Sequence, residues 1–230
     1  MSQHAHQKQR NWFARHKVLT GAGALVAVIA IGGALSGGSG GDAGTASGQS
    51  SGKSSGAEGG EKKGKKADAS GNGTFQVGSD IKPGTYRSAG NKEGCYWERD
   101  KDSKGEADSI LANDNAVGTS YVTIAASDKI FKSSGCKGWN LVTDAKGAGT
   151  TPATEARGNG MYRVGLDIAP GTYTSQGNKE GCYWERDKDA LHSGDSVIAN
   201  ENVTGNGIVT LTTEDAYFKT SGCTDWKKTG

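Results

Sequence analysis

The sequence predicts an all-β protein: two small antiparallel β-sandwich or barrel-like domains in tandem, each with one disulfide, after a single transmembrane helix. Three observations carry that expectation. Residues 75–139 fall on 162–226 at a shift of 87 without a gap, and 37 of the 65 positions are identical. Within each copy, short apolar runs alternate with Pro-Gly, Asn-Asp and Gly turn signals, and no stretch after residue 73 keeps a 3.6-residue apolar period. Near the N-terminus, the 18 residues VLTGAGALVAVIAIGGAL (18–35) carry no charge.

Residues 1–17 form a basic tail with Lys8, Arg10, Arg15 and Lys17 and no acid, a charge of +4. As a helix, residues 18–35 would span roughly 27 Å at about 1.5 Å per residue, close to the ~30 Å hydrocarbon core. Basic residues on the N-terminal side alone leave the tail in the cytoplasm and send the remainder across the membrane. A cleaved signal peptide is the alternative, because ALVAVIAI (24–31) has h-region length and Gly32, Gly33 and Ala34 come directly after it. Either route exports residues 37–230.

Residues 36–72 hold no aromatic and no Leu, Ile or Val, so they are expected to be a disordered Gly/Ser-rich linker. Repeat 1 is then 73–144, a polar linker 145–160, and repeat 2 161–230. Residues 73–230 carry 18 basic and 21 acidic side chains, a balance of −3. That balance excludes nucleic acid as a partner, since phosphate demands a basic face.

Each repeat opens with an apolar pair before Pro-Gly, in VGSDIKPGTY (77–86) and VGLDIAPGTY (164–173). Proline pre-sets φ and glycine accepts the positive φ of the turn, so a strand starts at Thr85 and at Thr172. In CYWERD, strand alternation puts Cys95, Trp97 and Arg99 on one face and Tyr96, Glu98 and Asp100 on the other. Further strands are expected near SILAN (109–113) and YVTIA (121–125), split by a turn at NDNAVG, with DKIFKSSGC (128–136) leading to the second cysteine.

Four cysteines, Cys95, Cys136, Cys182 and Cys223, sit at matched positions in an exported segment, where disulfides form. Three pairings exist. Pairing within each copy, Cys95–Cys136 and Cys182–Cys223, is expected because it lets each unit fold alone, and a unit this small needs a staple. Trp97 and Trp184 should pack beside the sulfur pairs.

The identity is uneven. GNKEGCYWERDKD is unbroken over 13 positions, whereas SKGEA (103–107) meets ALHSG (190–194) with no match. Among chemistry-bearing groups, Glu98 with Asp100, and Glu185 with Asp187, supply the paired carboxylates that glycoside hydrolysis uses. Asp100, Asp102, Asp108 and Asn113, with Asp114 and Asn115, offer oxygen ligands for calcium, although the spacing matches no EF-hand loop. His192 is the only histidine after residue 16, and its counterpart is Gly105, which argues against nucleophilic catalysis. No cofactor is expected.

The unit resembles a domain of exported and lipid-anchored proteins of filamentous actinobacteria. The residues that carry the resemblance are VGSDIKPGTYRSAG, GCYWERD, ILANDN, VTI, SDKIF and SGCKGW in the first copy. The second shows VGLDIAPGTYTSQG, GCYWERD, IANEN, VTL, EDAYF and SGCTDW. The resemblance implies export and a small β domain, and brings no activity with it.

The functional expectation is a membrane-tethered extracytoplasmic protein without enzymatic activity. It would be held in the lipid bilayer by residues 18–35 and display two disulfide-stapled β modules for binding or structure at the cell envelope. Tyr96 and Tyr183, with Trp97 and Trp184, are the candidate ligand contacts, and cell-wall carbohydrate or an envelope protein the candidate partner. The alternatives are an envelope hydrolase using Glu98/Asp100 and Glu185/Asp187, or a secreted protein after signal cleavage.

Overall fold

A computed structural model of the chain describes residues 67–143 and 151–230. The tail, the apolar run 18–35 and linker residues 36–66 lie outside the described residues, as do 144–150. Among the described residues no helix is long and apolar enough to cross a membrane. They are all-β, with one 3-10 turn at Ala107–Ser109.

The first repeat contains β1 (Gly73–Gln76), β2 (Gly84–Asp100), β3 (Ile110–Ile124), β4 (Ile130–Ser134) and β5 (Asn140–Leu141). The sheet order is β1-β4-β2-β3, with β5 added to the start of β2. The second contains β6 (Glu155–Ala156), β7 (Gly160–Arg163), β8 (Gly171–Asp187), β9 (Val197–Leu211), β10 (Tyr217–Ser221) and β11 (Trp226–Lys228). Here β8 pairs with β9, β10 and β11.

Each repeat is one long hairpin bent on itself. In β2, Ser88 and Cys95 are seven residues apart, yet they face Ser120 and Ala116, only four apart on β3. Three surplus residues force β2 to bulge and bend, as β-bulges do. The first half of β2 then pairs with β3 and β5, and the second half with β3 and β4. Strand β8 repeats the irregularity between Ser175 and Cys182. Asn91 holds the bend: its Oδ1 accepts from Ser88 Oγ at 2.9 Å and from Lys137 N at 2.9 Å. Asn178 does the same with Ser175 Oγ and Thr224 N.

The NDNAVG stretch is not a turn. Asn113–Gly118 runs inside β3, where Asn113, Asp114 and Asn115 oppose Glu98, Trp97 and Tyr96. Turn-forming residue types yield here to ladder hydrogen bonds along the bent partner strand. Residues 67–72, read as linker, also belong to the fold. Asp68 accepts from Leu141 N at 2.8 Å, Ala69 pairs with Trp139, and the Gly71 carbonyl accepts from Cys136 N. Likewise Ala153, β6 and Gly158, assigned to the second linker, are ordered against repeat 2.

The disulfides are Cys95–Cys136 and Cys182–Cys223, each closing 41 residues. Around the first, Trp97 and Trp139 meet edge to face with centroids 6.4 Å apart, and Phe131 meets Trp139 at 5.4 Å. Such pairs add to plain area burial. Trp139 Nε1 donates to Ser133 Oγ at 2.9 Å, and Trp226 Nε1 to Thr220 Oγ1 at 2.9 Å, so these two buried indoles are satisfied. The turn before each second cysteine requires glycine. Gly135 has φ +68, and a Cβ there would collide with the Gly94 carbonyl oxygen.

On the chain-entropy relation a 41-residue closure adds about 4 kcal/mol. The Cys95→Ala/Cys136→Ala protein should therefore lose about 3–4 kcal/mol in urea denaturation monitored by tryptophan fluorescence. An unchanged midpoint would show that the bend stands without its clamp.

Candidate functional site

The two repeats are not separate beads. They pack along a seam within one compact unit, residues 65–230. One wall is β3 of repeat 1, which lies along β7 of repeat 2. The other is the loop between β8 and β9, residues 188–196, which inserts as a plug. The Thr123 N–H donates to the Ala190 carbonyl at 2.7 Å, and Arg99 Nη1 donates to the Leu191 carbonyl at 2.6 Å. Arg99 is otherwise locked by Asp128, through Nε at 2.7 Å and Nη2 at 3.0 Å, a buried bidentate pair.

His192 completes the plug. Its ring meets Trp97 edge to face at 4.8 Å, and Nε2 lies 2.7 Å from the Tyr121 carbonyl oxygen. That oxygen only accepts, so Nε2 carries a proton. The backbone at His192 has φ +53, in the left-handed region that non-glycine residues seldom occupy. Its counterpart Gly105 has φ +73, so the repeat dictates the turn and the seam contacts hold a histidine in it.

Tyr121, Met161 and Ala190 form a small apolar cluster at the seam. Tyr121 stacks near Tyr217 at 5.4 Å, lies beneath the guanidinium groups of Arg87 and Arg163, and donates to Asp167 Oδ2 at 2.7 Å. Burial, reinforced by Asp167, holds the Tyr121 hydroxyl well above its ordinary pKa.

A charged network is built into both repeats and used differently in each. Tyr96 donates to Glu98, while Lys132 Nζ reaches Glu98 at 2.6 Å and Asp100 at 3.0 Å. In repeat 2, Tyr183 donates to Glu185, but Lys219 is drawn across the seam. Its Nζ lies 3.1 Å from Asp114 and 3.5 Å from Glu185. Burial alone would depress Lys219; Asp114 and Glu185 outweigh it and hold the ammonium above its ordinary value. Asp187 is left with a buried, unpartnered Oδ2, and burial with the Glu185 charge raises its pKa to about 8. Burial raises Asp100 too, opposed there by Lys132.

Beside this network the seam opens into a cleft of about 270 Å³ with walls from both repeats. Asp114, Asn115 and Thr119 come from β3; Tyr183, Lys219 and Ser221 come from β8 and β10. Hydroxyl and amide groups share the lining with Ala116, Val117 and Met161 around one ion pair.

The sequence-derived candidates fall in several places. Tyr183 lines the cleft, whereas Tyr96 lies on the same strand position of repeat 1, its hydroxyl engaged by Glu98. Trp97 and Trp184 are core residues, 0% and 7% exposed, because their strand face is turned onto the disulfide; they present no surface to a ligand. Glu98 and Asp100 are 8% and 1% exposed and share one lysine. The oxygen-bearing residues are not gathered. Asp102 accepts from Ser109 Oγ and Lys104 N within its own loop, Asp108 lies 3.9 Å from Lys101, and Asn113 sits in β3. Among the described residues no three His, Cys, Asp or Glu side chains converge as metal ligands.

Sequence reasoning missed Tyr121, His192 and Lys219 as a group. The available signal was the mismatch between the copies. Tyr121/Ile208, Ser120/Gly207, Asp114/Glu201, Arg87/Thr174, Tyr217/Ile130 and Met161/Thr74 all differ, as does the centre of the plug, residues 190–194.

The seam should be pH-sensitive in both directions. Burial, then the Lys219 charge, lowers the His192 pKa from its ordinary 6.5. Below 6.5 the unfolded chain therefore binds a proton that the folded seam refuses, and stability falls on acidification. Asp187, raised from 3.8, works the other way. Its neutral folded form favours folding at acid pH, and that advantage drains away as pH rises toward about 8. In urea denaturation, Asp187→Asn should gain on the wild type between about pH 5 and about pH 8. His192→Gln should gain on it as pH falls from about 7 to about 5, each with a slope up to about 1.4 kcal/mol per pH unit. Parallel profiles for all three proteins would remove both assignments.

No curated protein and no solved structure matches the chain. A family model does, twice, over residues 67–140 and 154–227, and its description is Rv1352-like extracellular domain. The two matches coincide with the two disulfide-clamped hairpins and together cover more than half of the sequence, so the chain belongs to the Rv1352-like extracellular domain family, with two copies of the domain facing the extracytoplasmic side.

Proposed function

We propose that this is a membrane-tethered envelope protein that binds, without chemical conversion, a hydroxyl-rich ligand of cell-wall carbohydrate type in the cleft between its repeats. The observation that carries the reading is the cleft itself. It exists only where two copies of one module meet, and it presents Asn115, Thr119, Tyr183 and Ser221 around the Asp114–Lys219 pair. Such fixed hydroxyl and amide groups, with an aromatic edge and some apolar wall, supply the convergent polar contacts that orient a polyhydroxy ligand in a cleft. Two copies of an extracellular family domain agree with display outside the cell.

The 18 uncharged residues after Lys17 support the tether. Burial of Glu98 and Asp100 against Lys132 favours binding over hydrolysis, because a general acid and a nucleophile must face the scissile bond. The same wall could seat a polar segment of an envelope protein, and the binding experiment separates the two.

Full chain in detergent, titrated with soluble fragments of wall polysaccharide, should show saturable binding by calorimetry. Asn115→Ala with Thr119→Ala removes two cleft hydrogen-bonding groups and should weaken it by roughly five- to thirty-fold, at about 1 kcal/mol each. Absence of binding to any wall polysaccharide, or binding indifferent to the double substitution, would reject the assignment. For the tether, Val26→Arg with Ile29→Arg should move the protein from the membrane fraction to the soluble fraction.

A further inference from the structure

The duplication places a second version of the seam's accepting face on the outside of the molecule. In repeat 1 that face is Trp97, Arg99, Asp114 and Tyr121, all covered by repeat 2. One repeat later the same positions are Trp184, Arg186, Glu201 and Ile208; Trp184 is buried within its own repeat and Arg186 is half-buried, while Glu201 and Ile208 lie exposed. Ile208 is 64% exposed, the most exposed of the large apolar side chains. Trp184 Nε1 is buried without an acceptor, where Trp97 Nε1 donates to Ser120 Oγ. Arg186 Nη1 folds onto the Thr210 carbonyl at 2.6 Å, whereas its counterpart in Arg99 donates across the seam to the plug. Its bond to Asp215 is loosened to 3.6 Å, against 2.7 Å for Arg99 and Asp128.

The giving face is also duplicated and open. In repeat 1 the loop 101–109 is exposed almost throughout, and β1 is exposed where its counterpart β7 is buried. The charges needed for the contact survive the shift. The cross-seam pair is Lys219 with Asp114; one repeat earlier the cation is Lys132, 33% exposed, and one repeat later the acid is Glu201. At the place of Tyr121, whose ring meets Tyr217 across the seam, repeat 2 presents the apolar Ile208.

We propose that the free β9 face of repeat 2 is a docking surface for a second copy of this chain. The second copy brings its repeat 1, through loop 101–109, β1 and Lys132, against Ile208 and Glu201 in the geometry of the seam. Chains then join head to tail. A contact of this heterologous kind closes into a ring or continues as a filament. It is weaker than the internal seam, because Ser103, Lys104 and Gly105 stand where the plug has Ala190, Leu191 and His192. It also forms between tethered molecules, whose confinement to one membrane raises their effective concentration.

The full chain in detergent should associate reversibly in sedimentation velocity, with a dissociation constant near or below about 100 μM. Ile208→Asp alters an exposed side chain, so melting should be unchanged while association weakens at least about tenfold. Glu201→Lys should do the same. In the opposite sense, Ser103→Ala/Lys104→Leu/Gly105→His grafts the plug onto repeat 1. A Cβ at Gly105 meets nothing within 4 Å, and its backbone already has the left-handed turn of His192. The graft should tighten association at least about tenfold. A wild-type chain monomeric to about 1 mM overturns the proposal, as does association that ignores Ile208→Asp, Glu201→Lys and the graft.

Discussion

Everything in this fold depends on holding a seventeen-residue strand bent against its own hairpin partner. A straight hairpin of that length would expose one face of Trp97 and Phe131 to water. Bending it with three surplus residues wraps the sheet around those rings, but a bulged ladder is locally weaker than a regular one. The disulfide acts at the bend. Cys95 ends the bulged segment, and Cys136 ties it to the chain just after β4, so the curved state is the one the cross-link permits. Asn91, Gly135 and the indole bond of Trp139 fill in around that clamp. All are retained in repeat 2, where Ser133 becomes Thr220 and keeps the hydroxyl that Trp226 needs.

A module closed in this way still leaves one flank open, because β3 has no further strand of its own repeat to its outside. Duplication supplied a neighbour for that flank. The contact is unlike on its two sides, a face on repeat 1 and a plug on repeat 2, and the copies diverge there, while the core changes only between similar residues, as in Ile124/Leu211, Ala116/Val203 and Ser133/Thr220. The immune positions are the cysteines, the core tryptophans, Tyr86 with Tyr173, and Asn91 with Asn178. Several positions that touch across the seam, Asp114, Tyr121, His192 and Tyr217 among them, are changed between the copies.

That pattern explains which parts of the structure are legible in the sequence. The repeat, the disulfide pairing and the alternation of the CYWERD strand arise from local chemistry and from symmetry between the copies; the turn expected at Pro-Gly lies instead at residues 78–80 and 165–167, and Gly84 and Gly171 already begin the strands. The continuity of β3 through NDNAVG is hidden, because Asn and Asp signal turns unless a long partner strand is there to pair with them. The module boundaries at 67–72 and 151–160 are hidden for a related reason. Polar and glycine-rich residues such as Asp68, Gly71 and Gly158 add backbone hydrogen bonds rather than apolar area, and composition sees only the latter. Tyr183, singled out for its place on the outward strand face, lines the cleft. His192 and Lys219 act only in combination with groups on the other repeat, and no single-segment reading joins them.

The seam's chemistry also bears on why it is charged at all. Apolar contacts among Tyr121, Met161 and Ala190 would suffice for adhesion, but adhesion between near-identical modules is ambiguous. Two faces and two loops allow several wrong pairings within and between chains. A partly buried cation adds discrimination, since Lys219 is favourable where Asp114 and Glu185 meet it, and an unmatched ammonium in that position would be unfavourable. Drawing Lys219 toward Asp114 leaves Asp187 without the partner that Asp100 keeps in Lys132, and the carboxyl responds by holding its proton. The protonated Asp187 is therefore a consequence of specific docking: the lysine that would have neutralised it has been reassigned to recognise the neighbouring repeat.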